Sequence, residues 1–308
     1  MAQITASLVK ELRTLSGAGM MDCKKALSAC DGDVAEAVDW LRAKGLSKAA
    51  KKSGRVAAEG LIALAGNETS GAMIELNSET DFVARNSEFQ SFARALANIS
   101  IDCNGDVDQI NAAKMDTGEV VSVALSQLIA TIGENMNLRR AISISVDQGV
   151  VSTYVHNSVA DKLGQIGVLV GLSSSASAEQ LEPVGRKIAM HIAATSPMSL
   201  SVDDLDPADV ERERSILIEQ AKESGKPEAI IEKMVEGRIN KFFSEVVLLK
   251  QAFVMDPDVS VEKFIENCGK EIGADIKLTS FARLTIGEGI EKKVEDFAAE
   301  VAAVGKKS

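Results

Sequence analysis

A chain of 308 residues, 45% hydrophobic and 26% charged, has an ordinary globular composition and the length for two or more domains. Its net charge of −11, from 34 basic and 45 acidic side chains, argues against general attraction to nucleic acid or an anionic membrane. No apolar run approaches the roughly eighteen residues of a membrane span, and one Trp and one Tyr leave little aromatic surface for stacking bases.

Residues 1 to about 46 read as three short helices. Thr5 is placed to cap the first, whose apolar positions include Leu8, Leu12 and Leu15, and the Gly17-Ala18-Gly19 run ends it. The second carries Cys23, Ala26, Leu27 and Cys30. Asp31-Gly32-Asp33 turns the chain into a third with Val34, Ala37, Val38 and Leu41, ending near Gly45. So small a core suits a docking module better than an enzyme. Met20 and Met21 either plug that core or form a soft contact surface beside Arg13. Gly17-Ala18-Gly19 is not a dinucleotide-binding turn, because Asp22 replaces the third glycine and a helix precedes it. Lys44, Lys48, Lys51, Lys52 and Arg55 then read as a solvated linker helix.

Strand composition begins near residue 56. Leu61, Ala63 and Ala65 alternate, Asn67 to Gly71 makes a hairpin turn, and Ile74 and Leu76 alternate with Met73, Glu75 and Asn77. That second strand is expected to be half-buried. Ser87-x-x-Gln90 has capping-box spacing before a helix with Phe89, Phe92, Ala93, Leu96 and Ala97 on one face. The strand-to-helix loop between them, Ser78 to Asn86, is long for its kind and carries Asp81 and Phe82 side by side. Phe82 either folds back into the core or stands out as a contact residue. A helix over Val120 to Ile132 and a strand over Asn137 to Val146 follow.

The second half repeats this order. Ser152 to His156 and Gly167 to Leu172 form a second hairpin, with Asn157 to Gln165 as an unusually long connection. Ser177-x-x-Gln180 repeats the capping-box spacing before Leu181, Val184, Ile188 and Ile192. Ile272 to Leu278 echoes Ile132 to Leu138. The first copy has extra residues, and they fall on Thr80-Asp81-Phe82-Val83. A loop extended on a repeated scaffold is where binding residues tend to sit.

Asp206-Pro207 opens a helical hairpin, with Val210, Leu217, Ile218 and Ala221 on the outgoing stripe. It turns at Ser224 to Pro227 and returns with Ile231, Met234, Val235, Arg238 and Phe242. A strand over 276 to 287 closes the core, and Glu291 to Val304 is an amphipathic final helix. The expected fold class is α+β. It divides into a three-helix unit with its linker (1–54), two repeated α+β subdomains with antiparallel sheets (55–146, and 147–202 with 256–288), an inserted antiparallel helical hairpin (203–255) and a C-terminal helix (289–308).

Nothing in the pattern points to catalysis, a cofactor or a metal. His156 and His191 have no metal-like neighbours, and there is no phosphate-binding loop or nucleophile elbow. Cys23, Cys30, Cys103 and Cys268 lack Cys-x-x-Cys spacing, and the N-terminus lacks a secretory leader, which together predict a cytoplasmic protein with free thiols.

Glu75-Leu-Asn-Ser-Glu-Thr-Asp-Phe-Val-Ala-Arg85, together with Leu12-Arg13 and Gly17-Ala18-Gly19-Met20-Met21-Asp22-Cys23-Lys24-Lys25-Ala26-Leu27, closely resembles the two signatures of the elongation factor Ts family. That family usually has Thr where this chain has Ser16. The resemblance implies a guanine-nucleotide exchange factor acting on elongation factor Tu. Thr80, Asp81, Phe82 and Val83 would enter the partner near its Mg²⁺ and help displace the ion. It implies a ubiquitin-associated-like fold for the N-terminal unit, with Arg13, Met20 and Met21 on the partner's GTPase domain; His156, read from its place at a strand end and not from the resemblance, is a further candidate contact. The resemblance also implies docking of the final helix on that domain, and contacts between protein molecules through the helical hairpin, leaving self-association open. A non-catalytic adaptor and a metabolic enzyme with an unrecognised site are the competing classes.

Overall fold

The computed structural model describes residues 4–16, 18–223 and 227–291. Gly17, the Ser224 to Lys226 part of the expected turn, and the expected final helix beyond Glu291 lie outside the described residues.

Three helices open the chain: α1 (Ala6–Ser16), α2 (Met20–Ala29) and α3 (Val34–Ala50). The Thr5 hydroxyl accepts from the Leu8 N–H at 3.3 Å, and the Asp33 carboxylate accepts from the Glu36 N–H at 2.9 Å, so both caps are local. Leu12, Cys23, Ala26, Leu27 and Ala37 form the small core. Three expectations change. Leu15 is exposed. Gly19 is the extended N-cap of α2 (φ −62°), not a left-handed stop. Helix α3 runs on past Gly45, which lies against Ala130 of the later helix layer.

Mixed helix and antiparallel sheet follow, so the α+β class holds. Strands β1 (Glu59–Gly66) and β2 (Ser70–Ser78) form a hairpin, joined by β3 (Met136–Ser145). Strands β4 (Gly149–Ala160) and β5 (Leu163–Ser173) form the second. All belong to one sheet of order β3-β2-β1-β5-β4, with a closing strand, Lys277–Thr285, also on β5. The halves join where Ile62 and Ala63 pair with Gly164 and Leu163. Asn157 to Gln165 is therefore no loose connection. It continues the hairpin through a turn at Asp161-Lys162 and carries Leu163 into the first core.

The two halves also meet face to face, Ile62, Leu64 and Met73 against Leu169, Ala282 and Leu284. Met73, Glu75 and Asn77 are thus enclosed, where a half-buried strand would have shown them to solvent. Glu75 is 0% exposed and accepts from the Gly287 N–H (2.8 Å), Asn77 Nδ2 (3.1 Å), Arg139 Nη1 (3.1 Å) and Arg140 Nε. Burial pushes its carboxyl up, but the Gly287, Arg140 and Asn77 bonds outweigh it and hold the group below the ordinary glutamate range.

Outside the sheet, α4 (Ser87–Asp102) buries Phe89, Phe92, Ala93, Leu96 and Ala97 against the first hairpin. Short α5 (Val107–Ala112) and α6 (Val121–Ile132) complete that layer, and Gly133 ends α6 in the left-handed conformation (φ +94°). On the other half, α7 (Ala178–Thr195) buries Leu181, Val184, Ile188 and Ile192. At its start Gln180 Oε1 accepts from the Ser177 N–H at 3.3 Å. The first helix is capped differently from expectation: the Asn86 side chain accepts from the Glu88 and Phe89 N–H groups, and Gln90 Nε2 reaches the Ala84 carbonyl.

Helices α8 (Pro207–Lys222) and α9 (Glu228–Val246) form the antiparallel pair, with Leu217, Ala221, Val235 and Ile239 between them. Two short strands, β6 (Ala252–Phe253) and β7 (Asp256–Ser260), lead to α10 (Val261–Ile272) and then to β8, the closing strand. Leu248 and Phe253 pack into the second core beside Val261 and Ile265. Gly273 ends α10 with the same left-handed turn (φ +79°) that Gly133 gives α6. Each hairpin likewise starts with a glycine, Gly60 (φ +122°) and Gly149 (φ +127°), whose added Cβ would lie about 2 Å from the Leu76 or Leu172 carbonyl.

Candidate partner-binding site

The loop after β2 is rigid at both ends and bare in the middle. Beyond the last strand pair, Ser78 with Met136, side chains continue the ladder. The Glu134 carboxylate accepts from the Thr80 N–H (2.9 Å) and hydroxyl (2.7 Å). Reciprocally, Glu79 Oε1 accepts from the Asn135 N–H. Ser78 Oγ donates to the Thr80 carbonyl at 2.9 Å. At the far end Asp81, Phe82 and Val83 carbonyls receive the N–H groups of Ala84, Arg85 and Asn86, making a short 3-10 turn.

Between these anchors Asp81 is exposed and Phe82 is 78% exposed, while Val83 is 5% exposed and, with Ala84, belongs to the first core. The four signature residues thus divide. Thr80 is clamped, Asp81 and Phe82 face solvent, and Val83 anchors the turn. Of the two readings of Phe82, the inward one fails. A phenyl ring this exposed gains almost nothing from its own fold, so its place must be sought in what it meets.

The basic joint is solvated, as expected, but it is also tied to the first core. Lys52 donates to the Gly133 carbonyl, Arg55 pairs with Glu79 at 3.3 Å, and the Arg55 carbonyl accepts from Asn135 Nδ2 at 2.7 Å. Residues 133–135 therefore hold both the loop and the joint that carries the three-helix unit. Sequence reasoning missed Glu79, Glu134 and Asn135 as a group. The signal available was the echo of Ile132 to Leu138 in Ile272 to Leu278, where Ala274 stands opposite Glu134.

A second surface lies on the three-helix unit. Met20 and Met21 are 60% and 65% exposed, and with Ile4, Val9, Arg13 and Lys24 they line an open apolar cleft of about 670 Å³. The core-plug reading of the methionines therefore fails, because both side chains stand on the surface. His156 is exposed on edge strand β4, its Nδ1 3.1 Å from the Tyr154 hydroxyl. It shares no hydrogen bond with either surface.

His191, by contrast, is 0% exposed at the base of the helical pair. Its Nδ1 accepts from the Val254 N–H (3.2 Å), which leaves the proton on Nε2 to donate to Gln251 Oε1 (2.8 Å). Burial lowers its pKa, and the Gln251 bond opposes this only in part. It is a packed core histidine.

Among the described residues no three His, Cys, Asp or Glu side chains gather with metal-holding geometry, and no helix is long and apolar enough to cross a membrane.

The family model described as Elongation factor TS matches residues 79–288, starting at the clamped loop and ending just past β8. The chain belongs to the elongation factor Ts family. Similar relatives extend over its full length. Elongation factor Ts of Caulobacter vibrioides is 58% identical over 308 residues, covering 99% of each chain. That of Allorhizobium ampelinum is 57% identical over 307 residues, covering 99% of this chain and all of the relative. Membership places the chain among the elongation factors of protein biosynthesis. The family match includes the exposed loop and its clamp together, but begins after the methionine cleft.

Proposed function

We propose that this chain binds elongation factor Tu with GDP, displaces its Mg²⁺ and promotes GDP release so that GTP can enter, acting in the cytoplasm without bond chemistry of its own. The observation that carries this reading is the bare Asp81-Phe82 pair on a loop fixed at both ends. Phe82 is a stiff apolar wedge that occupies space needed by a closed Mg²⁺ site. Asp81 competes for the polar groups and water that order the ion. With the ion gone, the positive charge that holds the phosphates is lost. Because the loop is already ordered, little conformational entropy is lost when it inserts.

The methionine cleft, with Arg13, supplies affinity and register on the GTPase domain, joined by the C-terminal module over 289–308. His156 is a further contact from the sheet edge. The division into units 1–54, 55–146, 147–202 with 256–288, 203–255 and 289–308 belongs to the same reading, as does self-association through α8 and α9. Thermodynamic linkage sets the scale. An exchange factor that binds the nucleotide-free partner more tightly weakens nucleotide binding by the same factor, about tenfold per 1.4 kcal/mol.

The test is release of a fluorescent GDP analogue from elongation factor Tu. Substoichiometric wild-type chain should accelerate release, and Phe82→Ala should bind the partner yet accelerate it far less. No acceleration by folded wild-type chain would refute the proposal and favour an adaptor role.

A further inference from the structure

We infer that Glu134 is a positioning residue for exchange, holding the Asp81-Phe82 pair at its working height; the inference rests on the function proposed above. Its carboxylate is half-buried and both oxygens are used on one residue, Thr80, from 54 positions away. A Thr hydroxyl bonded only to solvent would leave the loop to swing about Ser78. Bonded with its own N–H to one carboxylate, Thr80 is fixed in position and direction, as a strand residue is fixed by a ladder.

The repeated half supplies an internal comparison. There the strand-to-helix connection is short, residues 174–176 before the Ser177 cap, and Ala274 stands where the first half has Glu134. Both turns otherwise share the left-handed glycine, Gly133 and Gly273. The carboxylate is thus present in the half with the extended loop and missing from the half without it. A role in folding the turn itself would call for it in both.

Glu134 lies between two further anchors of the same turn, Lys52 on the Gly133 carbonyl and Asn135 on Glu79 and Arg55. Its loss should therefore free the loop without unfolding the turn. Glutamine keeps the clamp by geometry: its Oε1 accepts from the Thr80 N–H, and its Nε2 donates to the Thr80 hydroxyl oxygen. Alanine has neither group.

The experiment uses full-length wild type, Glu134→Ala, Glu134→Gln and Phe82→Ala. Amide hydrogen exchange of the free protein should show residues 79–86 losing protection about tenfold or more in Glu134→Ala, with β1 and α4 unchanged, and little change in Glu134→Gln. In GDP release from elongation factor Tu, Glu134→Ala should lower the maximal rate about tenfold and leave the half-saturating concentration nearly unchanged. Glu134→Gln should stay within about twofold of wild type. Unchanged protection in Glu134→Ala would overturn the clamp whatever the protein does. Lost protection with wild-type exchange, while Phe82→Ala is impaired, would overturn the positioning role and leave the proposed function standing. A wild-type chain that does not accelerate release would overturn both.

Discussion

Phe82 and Val83 are adjacent, apolar and inside one signature, yet their truncations should have very unequal effects on stability. Fully burying a phenylalanine stabilises a fold by about 1.5–3 kcal/mol, and Phe82 is 78% exposed, so roughly a fifth of that applies. Phe82→Ala should therefore cost about 0.3–0.6 kcal/mol. Val83 is 5% exposed among Val121, Phe89 and the other residues of the first core. Val83→Ala removes two buried carbons at about 0.8 kcal/mol each and leaves a small cavity, for a total of about 2 kcal/mol. With a urea slope of about 3 kcal/mol/M, the unfolding midpoints should fall by about 0.1–0.2 M for Phe82→Ala and about 0.7 M for Val83→Ala. Far-ultraviolet circular dichroism follows this as loss of helical signal, since α4 packs on the affected core. In GDP release the order should reverse, Phe82→Ala losing about tenfold or more in rate and Val83→Ala less, because its wedge remains. Equal destabilisation by the two variants would refute the reasoning, since it would put the Phe82 ring inside the fold in solution.

Two further predictions concern buried charge. Glu75→Ala should destabilise by about 3 kcal/mol, since it strands two arginines and the Gly287 N–H, whereas Glu75→Gln keeps acceptor oxygen and should cost less. Because the folded carboxyl sits below its unfolded value of about 4.3, this contribution is full above that pH and lost as pH falls through the folded value. Urea midpoints for wild type and Glu75→Gln should therefore converge in that acid window. His191 has its pKa lowered on folding, so the neutral ring's contribution is present above the unfolded value of about 6.5 and lost as pH falls towards the folded one. Wild type should lose up to about 1.4 kcal/mol per pH unit there, and His191→Gln less; parallel curves would exclude burial of the neutral ring.

The sequence by itself determined the elements whose signals are local. Helical periodicity placed the apolar faces of α4, α7 and the α8–α9 pair, turn residues marked the hairpins, and the Thr80 to Val83 signature with the methionine pair gave the family. What required tertiary structure was anything set by partners distant in the chain. Met73, Glu75 and Asn77 read as a solvent face because alternation reports one apolar side and says nothing about what covers the other. Phe82 and Val83 are both apolar, and only the 3-10 turn decides which points inward. Ser87 and Asn86 offer caps one residue apart, and the turn geometry chooses Asn86. Most of all, the clamp on the exposed pair joins Thr80 to Glu134, residues that no periodic pattern relates, because their meeting depends on β2 and β3 pairing in register.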